Sequence, residues 1–151
     1  MRFVILGEPV GKGRPRFSRK TGHAYTPSRT RSWEADAAAA MHQQAGAEWE
    51  RPPKGTPMRL RVHAYFRRPD RLVCNHKRPH THPDDCPRGA QTVALPHVTT
   101  PDADNLAKAV CDVLEKASLI HNDSAFCSVS VDKSYVAVGA DACTIVEVTR
   151  A

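Results

Sequence analysis

The sequence predicts an α+β fold, a mixed β-sheet covered by two helices, with elements in the order β-α-β, long loop, α-β-β. Three observations carry this. A length of 151 residues allows one domain, 1–151, with one core. Segments 26–46 and 104–116 place apolar residues at helical spacing, and four shorter segments alternate apolar with polar residues.

Arg2 to Leu6 reads as a strand with Phe3 and Ile5 on one face. Gly7 to Gly22 is a loop rich in Gly, Pro and basic residues. Thr26-Pro27 then resembles a helix start, Thr as N-cap and Pro at the first helical position. That helix carries Trp33, Ala37, Ala40, Met41 and Gln44 on one face and ends near Gly46. Pro52-Pro53 breaks the chain, and Met58 to Phe66 alternates as a half-buried strand, with Arg59, Arg61 and His63 outward. Residues 67–100 are polar, rich in Pro and His and without periodicity; a loop of this length is usually functional or disordered. Asp104 to Lys116 is the clearest helix, with the apolar stripe Leu106, Val110, Val113, Leu114 and Ala117. Cys127, Val129 and Val131 alternate as a strand, Gly139 to Asp141 turns the chain, and Thr144 to Val148 completes a terminal hairpin. Cys111, Cys127 and Cys143 are expected to be core thiols, because five cysteines without secretory context do not read as a disulfide framework.

A net charge of +6 favours a polyanionic partner, nucleic acid before membrane surface. No apolar run is long enough to span a bilayer, and the N-terminus lacks the apolar core of a signal peptide, so the expected location is cytoplasmic. The charge is unevenly spread. Arg2, Lys12, Arg14, Arg16, Arg19, Lys20, Arg29 and Arg31 face a single acid, Glu8, at the N-terminal end. Between Pro101 and Asp123 the balance reverses, with Asp102, Asp104, Asp112, Glu115 and Asp123 against Lys108 and Lys116. A basic arm beside an acidic pocket suits a protein that holds phosphates and also binds a cation.

Asp102 and Asp104, two apart in an extended approach to a helix, point the same way. Two such carboxylates repel unless a proton or cation intervenes, and oxygen-only ligands suit Mg²⁺ or Mn²⁺. Lys108 lies one turn past Asp104 on the same face, within reach of a phosphate oxygen, and Asp112 lies one turn further as a candidate additional acid. Asp123, in His121-Asn122-Asp123-Ser124, is expected to return beside the same helix face. The competing reading is that Asp104 is an N-cap and Asp102 simply sits well near a helix N-terminus. Lys12, Arg14 and Arg16 alternate along one edge and, with Arg19 and Lys20, are candidate phosphate contacts; a solvated turn explains them equally. Phe17 and Tyr25 are candidates for stacking on unpaired bases.

Pro101-Asp102-x-Asp104-Asn105-Leu106-x-Lys108-Ala109-x-x-Asp112-x-Leu114, followed by Asn122-Asp123-Ser124, is similar to the central signature of the RusA family of Holliday junction resolvases. Gly7-x-Pro9-x-x-Lys12-x-Arg14-Pro15-Arg16 resembles that family's basic N-terminal motif, and Tyr25-Thr26-Pro27 with Trp33-Glu34 resembles the segment after it. The family often has Lys where Thr100 stands, and a paired Asp-Asp in place of Asn122-Asp123. The resemblance implies a small RusA-like homodimer that cleaves four-way junctions and other branched DNA with Mg²⁺, for which Mn²⁺ substitutes. It assigns catalytic and metal-binding roles to Asp102, Asp104 and Asp123 and a catalytic role to Lys108, in DNA recombination and repair within a bacterial or phage-infected cell.

Two rivals stand beside this reading. One is a non-catalytic basic DNA-binding module whose acids cap a helix. The other is a structural protein stabilised by zinc through Cys74, His76, His80, His82 and Cys86, a set that fits no standard ligand spacing. His97 and His121 flank the acidic motif and are expected at the surface.

Overall fold

The computed structural model describes residues 1–13, 16–17, 19, 22–47, 49–73 and 94–151. The strands are β1 (Arg2–Leu6), β2 (Arg16–Phe17), β3 (Ala24–Tyr25), β4 (Met58–Phe66), β5 (Leu95–Pro96), β6 (Phe126–Tyr135) and β7 (Cys143–Arg150). The helices are α1 (Ser28–Ala45) and α2 (Ala103–Lys116), and short 3₁₀ turns cover Asp70–Leu72 and Asp123–Ala125. Five strands form one mixed sheet in the order β1-β7-β4-β6-β5, and β2 and β3 pair separately. Among the described residues, only β4 and β6 run parallel within the larger sheet. This is the α+β architecture expected.

The expected terminal hairpin does not form. β4 lies between β6 and β7, parallel to the first and antiparallel to the second. The reason is burial. Every second residue of β4, from Met58 to Phe66, is buried, and the centre of the sheet is where strands on both sides shield them. The connection from β4 to its parallel neighbour β6 needs a long crossover, which α2 supplies.

Strict alternation along β4 puts Met58, Leu60, Val62, Ala64 and Phe66 on the helix-covered face, with Arg59 and Arg61 exposed on the other. Phe3 and Ile5, Ala37 and Met41, and Val146 and Val148 meet this face from β1, α1 and β7. From α2 come Val110, Val113 and Leu114. All five residues of the stripe predicted for this helix are buried. Truncating a fully buried leucine such as Leu114 to alanine costs about 2–5 kcal/mol.

Three local expectations shift. α1 begins at Ser28 with Pro27 at the N-cap, one residue later than Thr26-Pro27 implied, and ends before Gly46, whose φ of 66° suits glycine. The buried face of α1 is Thr30, Glu34, Ala37, Met41 and Ala45, so it includes an acid that periodicity assigns to the outside. Gln44 is exposed, and its amide accepts from Val4 N–H at 2.8 Å and donates to Val4 C=O at 2.7 Å. It thereby occupies the open edge of β1, where another strand would otherwise pair. Of the cysteines expected in the core, Cys111 is buried, Cys143 half-buried and Cys127 exposed. β6 is mostly solvent-facing over Cys127–Ser130, so its alternation does not report burial.

Candidate active site

Asp102 occupies the N-cap of α2 in an extended conformation, φ −69° and ψ 153°, yet its side chain makes no capping hydrogen bond. Asp104 sits in the first turn. Both are exposed, as is Lys108, and among the described residues none of the three side chains has a hydrogen bond or ion pair. The N-cap reading named Asp104, but the N-cap is Asp102, and its side chain caps nothing. Two hard oxygen donors side by side suit a divalent cation, and an ammonium without a partner among the described residues follows one turn along.

The segment before α2 is held from three sides. His97 N–H donates to Lys133 C=O at 3.0 Å, and its ring stacks on Phe66 at 3.9 Å and tilts against Tyr135 at 4.7 Å. His97 is thus buried and not a surface histidine; burial, then the nearby Lys133 charge, holds its pKa below the ordinary value. The Lys133 ammonium, from β6, donates to Thr99 C=O at 2.7 Å and Pro101 C=O at 2.8 Å. On the other side Lys12 N–H donates to Asn105 C=O at 2.8 Å. Gly11 is required there, because a Cβ would stand 2.6 Å from Pro101 Cβ and 3.3 Å from Asn105 Cβ. The basic N-terminal motif therefore begins as a brace for the acidic one. An open cleft of about 620 Å³ adjoins this end of α2, lined among others by Gly11, Arg29, Arg67, His97 and Pro101.

Lys12 does more than brace. Its ammonium hydrogen-bonds Glu34 Oε1 at 2.8 Å and also pairs with Asp112, while Lys116 pairs with the second oxygen of Glu34. Glu34 is only 2% exposed. Burial works against its charge, but the hydrogen bonds from Lys116 and Lys12 outweigh it and hold the carboxyl below its ordinary value. Lys12 is likewise raised, burial being outweighed by Asp112 and Glu34. Two expectations change accordingly. The Lys12 ammonium is directed toward Glu34 and Asp112, and Asp112 is engaged by it and not held free. Glu34 and Lys116 were not selected from sequence, since their partners lie 22 and 82 residues away from Glu34. Lys133 was missed for the same reason.

Asp123 lies at the other end of α2. Its N–H donates to Glu115 Oε1 at 2.9 Å, in the last turn of the helix. The eleven residues from Asp104 to Glu115 amount to about 16 Å of helix. Among the described residues no three acid, His or Cys side chains gather closely enough to hold a metal. Within one chain Asp102, Asp104 and Lys108 lie together at the start of α2, whereas Asp123 returns beside the last turn of the same helix, at Glu115. Beside Asp123 is a cavity of about 240 Å³ lined in part by Lys54, Thr56, His121, Asn122 and Ser124. Desolvation, then the charges of Arg51 and Lys54, holds His121 below its ordinary pKa.

Arg14, Lys20 and the Cys74, His76, His80, His82, Cys86 set lie outside the described residues. Arg16 and Phe17 are placed by their backbone in β2, and Arg19 and Tyr25 are exposed. No helix among the described residues is long and apolar enough to cross a membrane. Residues 7–148 match the family model described as Endodeoxyribonuclease RusA. No curated protein matches the chain.

Proposed function

The chain belongs to the RusA family of endodeoxyribonucleases, and we propose that it resolves Holliday junctions and related branched DNA by Mg²⁺-dependent phosphodiester hydrolysis, in recombination and repair. The observation that carries the reading is the trio Asp102, Asp104 and Lys108, unpartnered among the described residues and presented at the start of a braced helix within a chain matched almost end to end. A pure DNA-binding module gains nothing from two free carboxylates facing phosphate.

The donor chemistry fits a hard divalent cation, which Asp102 and Asp104 would hold; when bound it supplies Lewis acidity and positive charge to the scissile phosphate. Lys108 places an ammonium one turn away, where it stabilises charge developing on the phosphate oxygens. Lys133, His97 and Gly11 fix the backbone that carries the acids, so little ordering is required when DNA arrives. Arg14, Arg16, Arg19 and Lys20 bind phosphates of the arms.

Asp123 completes the carboxylate set from a second copy of the chain. The about 16 Å of α2 between the two half-sites and the homodimer implied by the family both support this arrangement. A two-fold dimer then carries two complete sites, one for each strand to be cut.

Mixing subunits tests it. Asp102→Asn and Asp123→Asn should each abolish junction cleavage alone. In a heterodimer of the two, one composite site has every acid intact, so mixing should restore up to half of the wild-type rate per heterodimer. If all three acids act within one chain, both sites stay broken and no activity returns. Full activity of Asp123→Asn alone would remove it from the site.

A further inference from the structure

We propose that the cavity beside Asp123 receives one unstacked nucleobase of the DNA, next to the phosphate that is cut, and that Asn122 reads that base. The substrate class rests on the nuclease reading above; the pocket itself rests on its own chemistry.

The cavity measures about 240 Å³. Sites for drug-sized ligands begin at roughly 300 Å³, so this one suits a single flat ring system. Its walls divide in two. Pro52, Pro57, Met58 and Ile120 supply apolar surface against which a ring packs, and Thr56 and Asn122 supply polar groups. A bare anion would have no use for the apolar half.

Asn122 has a defined donor end. Its Oδ1 accepts the Ser124 hydroxyl at 2.5 Å, which leaves the amide N–H groups without a partner among the described residues. An amide held this way donates to a base acceptor, such as O6 or N7 of guanine or a ring acceptor of cytosine. Neighbouring groups complete a nucleotide site. Lys54 lines the cavity and Arg51 adjoins Pro52 of its wall; both are exposed, and neither is ion-paired among the described residues. They are suited to the phosphates on either side of the base, interactions that position without selecting sequence. Asn122 and Ser124 flank Asp123, whose backbone is tied to Glu115. Recognition of the base and placement of that acid are therefore one local geometry.

The test uses full-length protein and four-way junctions that differ only in the base at the branch point. Binding is measured with Ca²⁺ in place of Mg²⁺. Wild type should spread the four affinities by about tenfold, the scale of one good base contact. Asn122→Ala should compress the spread to within about twofold, and Asn122→Asp should shift preference toward bases that present an amino donor. Replacing Arg51 and Lys54 together by Ala should weaken all four junctions alike. An identical spread in wild type and Asn122→Ala, or no weakening in the double variant, overturns the pocket. Cleavage in Mg²⁺ separates the two readings. Wild type that cuts no junction, while its binding spread persists and collapses in Asn122→Ala, defeats the nuclease reading alone. Cleavage at an unchanged distribution of sites in Asn122→Ala defeats the pocket alone.

Discussion

Replacing Glu34 by Gln keeps the side chain's size and removes one buried charge, leaving Lys12 and Lys116 against a neutral amide. Breaking a fully buried pair by losing one partner costs about 3–5 kcal/mol. Here the lysines reach solvent, with side chains 31% and 48% exposed, so their stranded charge is partly screened and the expected loss is about 2 kcal/mol. For a chain of this length that lowers Tm by about 4–8 °C. The pH dependence gives the loss a signature. Glu34 is held below its ordinary value of 4.5, so its contribution is fully present above 4.5 and disappears as pH falls through the lower folded value. Lys12 is held above 10.5, so its share is present below 10.5 and disappears as pH rises through the higher folded value. Urea denaturation of wild type and Glu34→Gln from pH 3 to pH 8 reads this directly. The gap should be widest near neutrality and narrow steadily below pH 4.5. Equal stability at pH 7, or a gap that does not change with pH, would refute the assignment of Glu34 as the charged centre of the network.

Lys108→Ala should lower single-turnover junction cleavage at least tenfold, about 1.4 kcal/mol of barrier, with Lys108→Arg recovering part, since a planar fork replaces a compact ammonium; a rate within twofold of wild type would leave Lys108 a surface residue. Lys12→Met should leave the slope of log K against log salt for junction binding unchanged, while neutralising Arg14, Arg16 and Arg19 together should flatten it by about 0.9 for each phosphate that an arginine had neutralised. Gly11→Ala must displace Pro101, at an overpacking cost of about 1–3 kcal/mol, and should reduce cleavage more than junction affinity; unchanged Tm and rate would mean the loop gives way freely.

The elements legible in the sequence are those whose neighbours are local. β4 and α2 alternate or repeat cleanly because each buries one face, and Leu60, Val62, Leu106 and Val110 lie where periodicity puts them. Sheet order was not legible, since alternation in 127–131 and 144–148 fits a hairpin as well as two strands on either side of β4. The acids at the start of α2 were readable from their spacing. What surrounds them was not. Glu34 violates the amphipathic pattern of α1 and is explained only by lysines from two other segments. Lys133 is an ordinary strand lysine until its ammonium is found on the carbonyls of Thr99 and Pro101. Asp123 was expected beside the helix face of the other acids, and it meets α2 in the last turn, at Glu115; a motif fixes spacing along the chain and not which turn of the helix the returning segment reaches.

The ion network also bears on which cation remains for the DNA. α2 carries two lysines, Lys108 and Lys116. Lys116 is committed to Glu34, and the lysine paired with Asp112 is Lys12 from the N-terminal loop, not Lys108. Two cations and two carboxylates thus close on one another across the loop, α1 and α2, and form a set with no net charge. Had Lys108 taken Asp112, four residues on, as helix spacing permits, it would have been drawn away from the carboxylate pair while Lys12 stayed on Glu34. Because Lys12 occupies Asp112, Lys108 stays unpaired among the described residues, one turn from Asp104. On the proposed reading a buried acid on α1 therefore acts at one remove: by drawing Lys12 and Lys116 inward, Glu34 leaves Lys108, beside the carboxylate pair, without an ion-pair partner among the described residues.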